Sequence, residues 1–213
     1  MVENPAVVGS QQPFDPSHIV VLSGLESVRQ RPALYVGTPE TGAIDKLLWF
    51  AIDGVLAHYQ SLGWPLESIV IRLEDDGSAT VTVGPPTGAD AALEEGSRLL
   101  ERELRVLGVG SPVGLFVANA LSSRLEAATP LPRQRRRCLT FEQGVLCHDQ
   151  DNTTRSGFDN ITLTFWPDTA IVGAGTFDAG RVRQELRSLA DANPTVAIEV
   201  VDTRYDLETE RSR

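Results

Sequence analysis

LSGLESVRQRPALYVG, residues 22–37, carries the densest set of structural signals in this chain. Ser23 and Glu26 have capping-box spacing: the serine hydroxyl accepts the N–H three residues on, and the glutamate accepts the serine N–H in return. A short helix therefore starts here. Pro32 stops it, because a proline disfavours the helical conformation of the residue before it. Downstream, IDKLLWFAIDGVLAHY (44–59) sets Ile44, Leu47, Leu48, Ile52, Val55, Leu56 and Tyr59 on one helical stripe. Upstream, residues 1–17 hold Pro5, Pro13 and Pro16 and no apolar period, which predicts an extended arm.

Past the long helix the period changes from helical to alternating. SIVIRL (68–73) and SATVTV (78–83) flank EDDG (74–77), and Asp76-Gly77 between alternating runs predicts a hairpin. GPPTGA (84–89) breaks the pattern, a charged helix follows over 90–107, and the loop Gly108-Val109-Gly110-Ser111-Pro112 leads into an apolar helix over 113–122. Strands are predicted at 123–129, 136–142, 145–148, 160–166 and 195–201, and an amphipathic helix at 178–192 with Val182, Leu186 and Leu189 inward. Helices and antiparallel strands in mixed order, without repeats, predict an α+β two-layer sandwich.

Composition narrows the function classes. The chain has 213 residues and a net charge of −10, with a pI near 4.8, which argues against binding nucleic acid through a broad basic face. No apolar run approaches the roughly 20 residues of a membrane span. The opening residues lack a signal-peptide pattern, so a cytoplasmic location with reduced Cys138 and Cys147 is expected. Lys46 is the only lysine and lies in no phosphate-loop motif. The two cysteines and three histidines show no metal-ligand spacing.

The 22–37 segment resembles the opening signature of the gyrase B and topoisomerase IV ATPase subunits, GL-x-x-VR-x-RP-x-x-Y-x-G. Other pieces recur in that family's order: the 44–59 helix, the hairpin, Asn119-Ala120-Leu121-Ser122, Phe165-Trp166-Pro167 and the closing helix and strand. The resemblance runs over about 18–204, leaving the 1–17 arm and an acidic, frayed tail at 205–213. It implies the GHKL (Bergerat) fold, with helices on one face of a mixed, mostly antiparallel sheet. It also implies the family's function: an ATP clamp with magnesium that dimerises to drive DNA strand passage.

Residue by residue, the carried-over chemistry departs from the family. In the long helix the resemblance puts the general base at Phe50, an aspartate at Asp53, and the magnesium-binding asparagine at Gly54. Positions i and i+4 share a helix face, so base and metal ligand point into one pocket. A phenyl ring takes no proton and glycine offers no side-chain oxygen. The adenine-binding aspartate falls on Gly84, and the family threonine before the FWP strand on Ile161. The phosphate-cradling lid matches Gly108, Gly110 and Gly114, but Pro112 removes a backbone donor.

Two expectations follow. One is a non-enzymatic gyrase-B-like domain without cofactor that serves as a protein-interaction or regulatory module. It would form a homodimer through its N-terminal arm or pair with a gyrase-type subunit, and touch neither membrane nor nucleic acid directly. The other is a divergent domain that still binds ATP with magnesium through Asp53, Gly108, Gly110 and Gly114. Smaller alternatives stay open. Phe50 packs in the core or plugs the old pocket, and Asp53 is a surface or capping carboxylate. The glycine loop holds an anion or merely connects. Arg133–Arg137 meets DNA phosphates or guards a solvated hairpin edge. Cys138 and Cys147 are near neighbours or simple buried thiols.

Overall fold

The computed structural model describes residues 22–38, 42–84, 90–107, 113–153 and 160–205. The arm (1–17), Pro85–Ala89, the Gly108–Pro112 loop and the tail from 206 lie outside the described residues. Seven helices and seven strands occur among them, beginning with α1 (Gly24–Gln30), α2 (Ala33–Val36) and α3 (Ala43–Ser61). The hairpin β1 (Ser68–Leu73) and β2 (Ala79–Val83) comes next, then α4 (Asp90–Arg105) and α5 (Val113–Ala120). β3 (Ser122–Leu131), β4 (Arg135–Glu142) and β5 (Val145–Thr153) form a meander, and β6 (Ile161–Pro167) follows. α6 (Thr169–Val172), α7 (Ala179–Ala192), β7 (Ala197–Asp202) and a 3-10 turn (Thr203–Tyr205) close the series.

The strands make one sheet in the order β5-β4-β3-β6-β2-β1-β7. All pairings are antiparallel except β1 with β7, so the expected mixed, mostly antiparallel sheet is present. Alternation fixes which face is covered. Ile69, Ile71, Leu73, Val81, Val83, Leu163, Phe165, Leu125 and Phe141 are buried beneath the helix layer with Leu47, Leu48, Ile52 and Val55 of α3. Thr80, Thr82, Thr162 and Thr164 point the other way and are half-buried.

Local chemistry sets the element ends. Ser23 and Glu26 close the capping box that starts α1, and Asp168 and Asp178 cap α6 and α7 through Ala170 and Arg181 N–H groups. The β1–β2 turn places Gly77 at φ 82, a value glycine accepts freely. Gln143-Gly144 turns β4 into β5 with both residues at positive φ. Two details differ from the sequence reading. α2 forms in the Pro-containing stretch after α1, where Tyr35 and Val36 N–H groups reach back to Pro32 O. β5 runs to Thr153 rather than 148, because β4 supplies a partner along its whole length.

Helix α4 is tied to the layer below through buried polar groups that the apolar pattern cannot reveal. His58 Nδ1 lies 2.7 Å from Glu103 Oε2, with His58 0% and Glu103 1% exposed. The Trp64 ring stacks edge-on to His58 and lies against Gly96 of α4. Thr129 Oγ1 donates to Ser97 Oγ at 2.8 Å, linking α4 to β3. A buried carboxylate is tolerated here only because a hydrogen-bonded partner faces it. Replacing one member strands the other, so Glu103→Leu alone lowers stability by about 3–5 kcal/mol, whereas the His58→Phe/Glu103→Leu pair costs much less. Urea unfolding of the two single variants and the double variant checks this.

Candidate functional site

The residues to which the resemblance gives catalysis and metal binding lie one turn apart on α3, on the face that meets the start of α5. Gly54 is buried; a Cβ there would stand 2.6 Å from Leu115 N and 2.7 Å from Leu115 Cγ. From the other side, a Cβ on Gly114 would fall 2.8 Å from Gly54 N and run into the Phe50 carbonyl oxygen. Both distances are shorter than real contacts allow, so the two helices cross backbone against backbone with no space for a side chain on either. An asparagine at position 54 would have to displace α5 before it could reach a cation. Gly54 itself offers a cation no side-chain oxygen. Among the described residues no group of three or more His, Cys, Asp or Glu could hold a metal.

Phe50 is half-buried and packs against the core beneath it. Asp53, between the two, turns outward and is exposed; removal from water by its surroundings still pushes its carboxyl pKa up. The structure thus brings Phe50, Gly54 and Gly114 together and leaves Asp53 beside them on the surface. Gly108 and Gly110 lie outside the described residues. At the adenine corner Gly84 is held through its backbone. The Tyr59 hydroxyl donates to the Gly84 carbonyl, and Gly84 N–H donates to Ser68 O at 2.9 Å. A Cβ on Gly84 would meet Ser68 Oγ at 2.7 Å. Burial pushes the Tyr59 phenol well above its ordinary range.

Arg29, inside the 22–37 signature, was given no role by sequence reasoning. Its Nη1 donates to Ala120 O and its Nη2 to Asp168 Oδ2, each at 2.7 Å. One guanidinium therefore joins α1 to the end of α5 and to the residue after Phe165-Trp166-Pro167. Asn119 Nδ2 adds bonds to Leu104 O and Gly144 O, at 3.0 and 3.1 Å. The recurring sequence pieces meet in space, which is the signal that could have identified them as one junction.

The arginine cluster leads into β4, and among the described residues β5 ends the sheet beside it. Arg137 grips Asp149 with Nε and Nη2 at 2.8 and 2.7 Å and Glu101 at 2.6 Å. Arg135 bonds Asp151 at 2.6 Å. Those two charges are paired within the chain, while Arg133 of the same run is exposed. Cys138 stands opposite Gln150 rather than Cys147; both thiols are free, and Cys147 is exposed, not buried.

No family model matches the chain. Curated proteins do. Over 211 residues the chain is 29% identical to the DNA gyrase B protein of Haloferax volcanii, covering 91% of this chain and 33% of that protein. Over 224 residues it is 28% identical to the DNA gyrase B protein of Streptococcus pyogenes serotype M3, covering 98% and 34%. A crystal structure of the 43K ATPase domain of Thermus thermophilus gyrase B in complex with an aminocoumarin matches with a TM-score of 0.70. The identity is 28%, over 85% of this chain and 49% of that one. In sequence and in fold the chain is similar to the gyrase B ATPase domain, of the GHKL type. It spans about a third of the length of the curated relatives it matches. No helix among the described residues is long and apolar enough to cross a membrane.

Two outcomes follow from this geometry. Alanine for glycine inside a helix ordinarily gains about 1 kcal/mol. At Gly54 the sign reverses, and Gly54→Ala loses about 1–3 kcal/mol by overpacking, measured by chemical unfolding. The second outcome concerns acid. The hydrogen bond from Arg137 holds the Asp149 carboxyl below its ordinary value. Burial pushes Glu101 up, but Arg137 and Arg105 hold it lower overall. Carboxyls depressed in the folded state stabilise it above their unfolded pKa, about 4, and that stability is lost as pH falls through the folded value. Thermal melts between about pH 6 and pH 3 therefore show a shallower acid loss in Arg137→Gln than in the parent.

Proposed function

We propose that this chain is a gyrase-B-like domain that does not turn over ATP and acts as a protein-interaction or regulatory module. One observation supports it above the others: the α3 face assigned to base and metal holds Phe50 and Gly54, and α5 rests directly on Gly54. General base catalysis needs a group within hydrogen-bond reach of the attacking water. Magnesium needs oxygen ligands around it. This face offers neither from its side chains, and adding one at position 54 requires α5 to move. At the adenine end, the position to which the resemblance gives the adenine-binding aspartate holds Gly84, which has no carboxylate to offer.

The partner in this reading is a second copy of the chain, engaged through the N-terminal arm, or a gyrase-type subunit whose clamp it modulates, in the cytoplasm. The arm lies outside the described residues, so this part of the reading comes from the resemblance of the chain to gyrase B. Two nucleotide assays test it. Calorimetric titration with magnesium and a non-hydrolysable ATP analogue is expected to give no binding heat, and phosphate release from ATP to equal the blank. Binding at micromolar concentration or turnover above the blank would return the chain to the ATPases.

A further inference from the structure

We infer that the buried polar contacts of α4, above all His58–Glu103, are a register key. They hold α4 at one position along its own axis and give up some stability to do so. This rests on the reading of the chain as an interaction module and specifies its regulation. The position of α4, which leads into the Gly108–Pro112 segment, is set by groups of the chain itself, and nucleotide does not switch it.

The leucines of α4 do not define that position. Leu100 and Leu104 are both buried and stand four residues apart, close to one helical turn of about 5.4 Å. A slip of one turn puts Leu100 where Leu104 was, and apolar burial has no direction with which to resist it. The same slip puts Leu99 where Glu103 was and Leu93 where Ser97 was. A helix held by its leucines alone therefore has neighbouring positions of similar energy, and one-turn shifts belong to the repertoire of packed helices.

The polar groups are not interchangeable in this way. On the α3 side His58 Nδ1 meets Glu103 Oε2, and on the β3 side Thr129 Oγ1 donates to Ser97 Oγ, all four side chains buried. After the slip His58 faces Leu99 and Thr129 faces Leu93, and both lose their partners away from water, where an unmade hydrogen bond is expensive. His58–Glu103 is nevertheless a poor stabiliser, because His58 Nε2 is buried with no hydrogen-bond partner among the described residues. A buried polar contact that apolar side chains could replace, but that only one alignment satisfies, specifies register at a cost in stability.

The test is amide NMR and hydrogen exchange of the full chain. The parent is expected to give one set of resonances over 94–104, with no second set induced by magnesium and a non-hydrolysable ATP analogue. The apolar variants are His58→Phe/Glu103→Leu and the same pair with Ser97→Ala/Thr129→Val added. Both are expected to keep a urea midpoint near the parent's. Over 94–104 they lose at least about tenfold in exchange protection and gain a second set of resonances, while β1 and β2 keep one. Glu103→Gln, which keeps a hydrogen bond to His58, is expected to keep the single set. Four results overturn the proposal: a parent already doubled over α4, a second set induced by the analogue, apolar variants with the parent's single set and protection, or apolar variants that fail to fold, since the pair would then be a stabiliser. Calorimetry with the same analogue separates the two readings. A chain that binds it with α4 unmoved keeps the key and loses the non-hydrolysing assignment; one silent to it whose apolar variants stay single loses the key alone.

Discussion

The backbones of α3 and α5 meet where Gly54 faces Gly114 and Leu115, closer than any side chain could allow. Much of the surrounding architecture serves this crossing. The apolar face of α3 sits on the central strands, which sets its height above the sheet. Arg29 and Asn119 hold the far end of α5 through Ala120, Asp168, Leu104 and Gly144. Glycine in a helix interior costs backbone entropy, and a chain that carries one on each side of a contact gains close packing there. At the position to which the resemblance gives a metal-binding asparagine, this molecule has the backbone of the next helix.

Most of the architecture was legible in the sequence because it follows from period and punctuation. The Ser23–Glu26 capping box, the α3 stripe and the Asp76-Gly77 turn each rest on neighbours a few residues apart, and each stands where the pattern put it. α2 was missed because a single turn beside a proline has no period to detect. The resemblance located Phe50 and Gly54 as departures and Gly114 as a retained lid glycine, but their meeting across two helices is a tertiary fact. His58–Glu103 and Arg29–Asp168 join residues 45 and 139 positions apart, and no local spacing announces such pairs. The arginine run was legible as charge, but the pairing of Arg135 and Arg137 was not, since their carboxylates come from α4 and β5.

Charge is distributed unevenly over this acidic molecule. At one end of the sheet, Arg135 and Arg137 are absorbed by Asp151, Asp149 and Glu101, which fastens β4 to β5 and α4. At the other end, Arg183 and Arg187 are exposed on α7. Ion pairs at the surface contribute little stability individually, but they decide which basic groups remain to meet a partner. The same residue type is thus structural at β4 and outward-facing at α7, and only the fold distinguishes the two.

The most direct measurement is a crystal structure of the chain grown with magnesium and a non-hydrolysable ATP analogue at saturating concentration. The account predicts α5 seated on α3 at Gly54 with no nucleotide between the helices. An adenine nucleotide bound beside Phe50, with α5 lifted from Gly54 and a cation coordinated there, would contradict it.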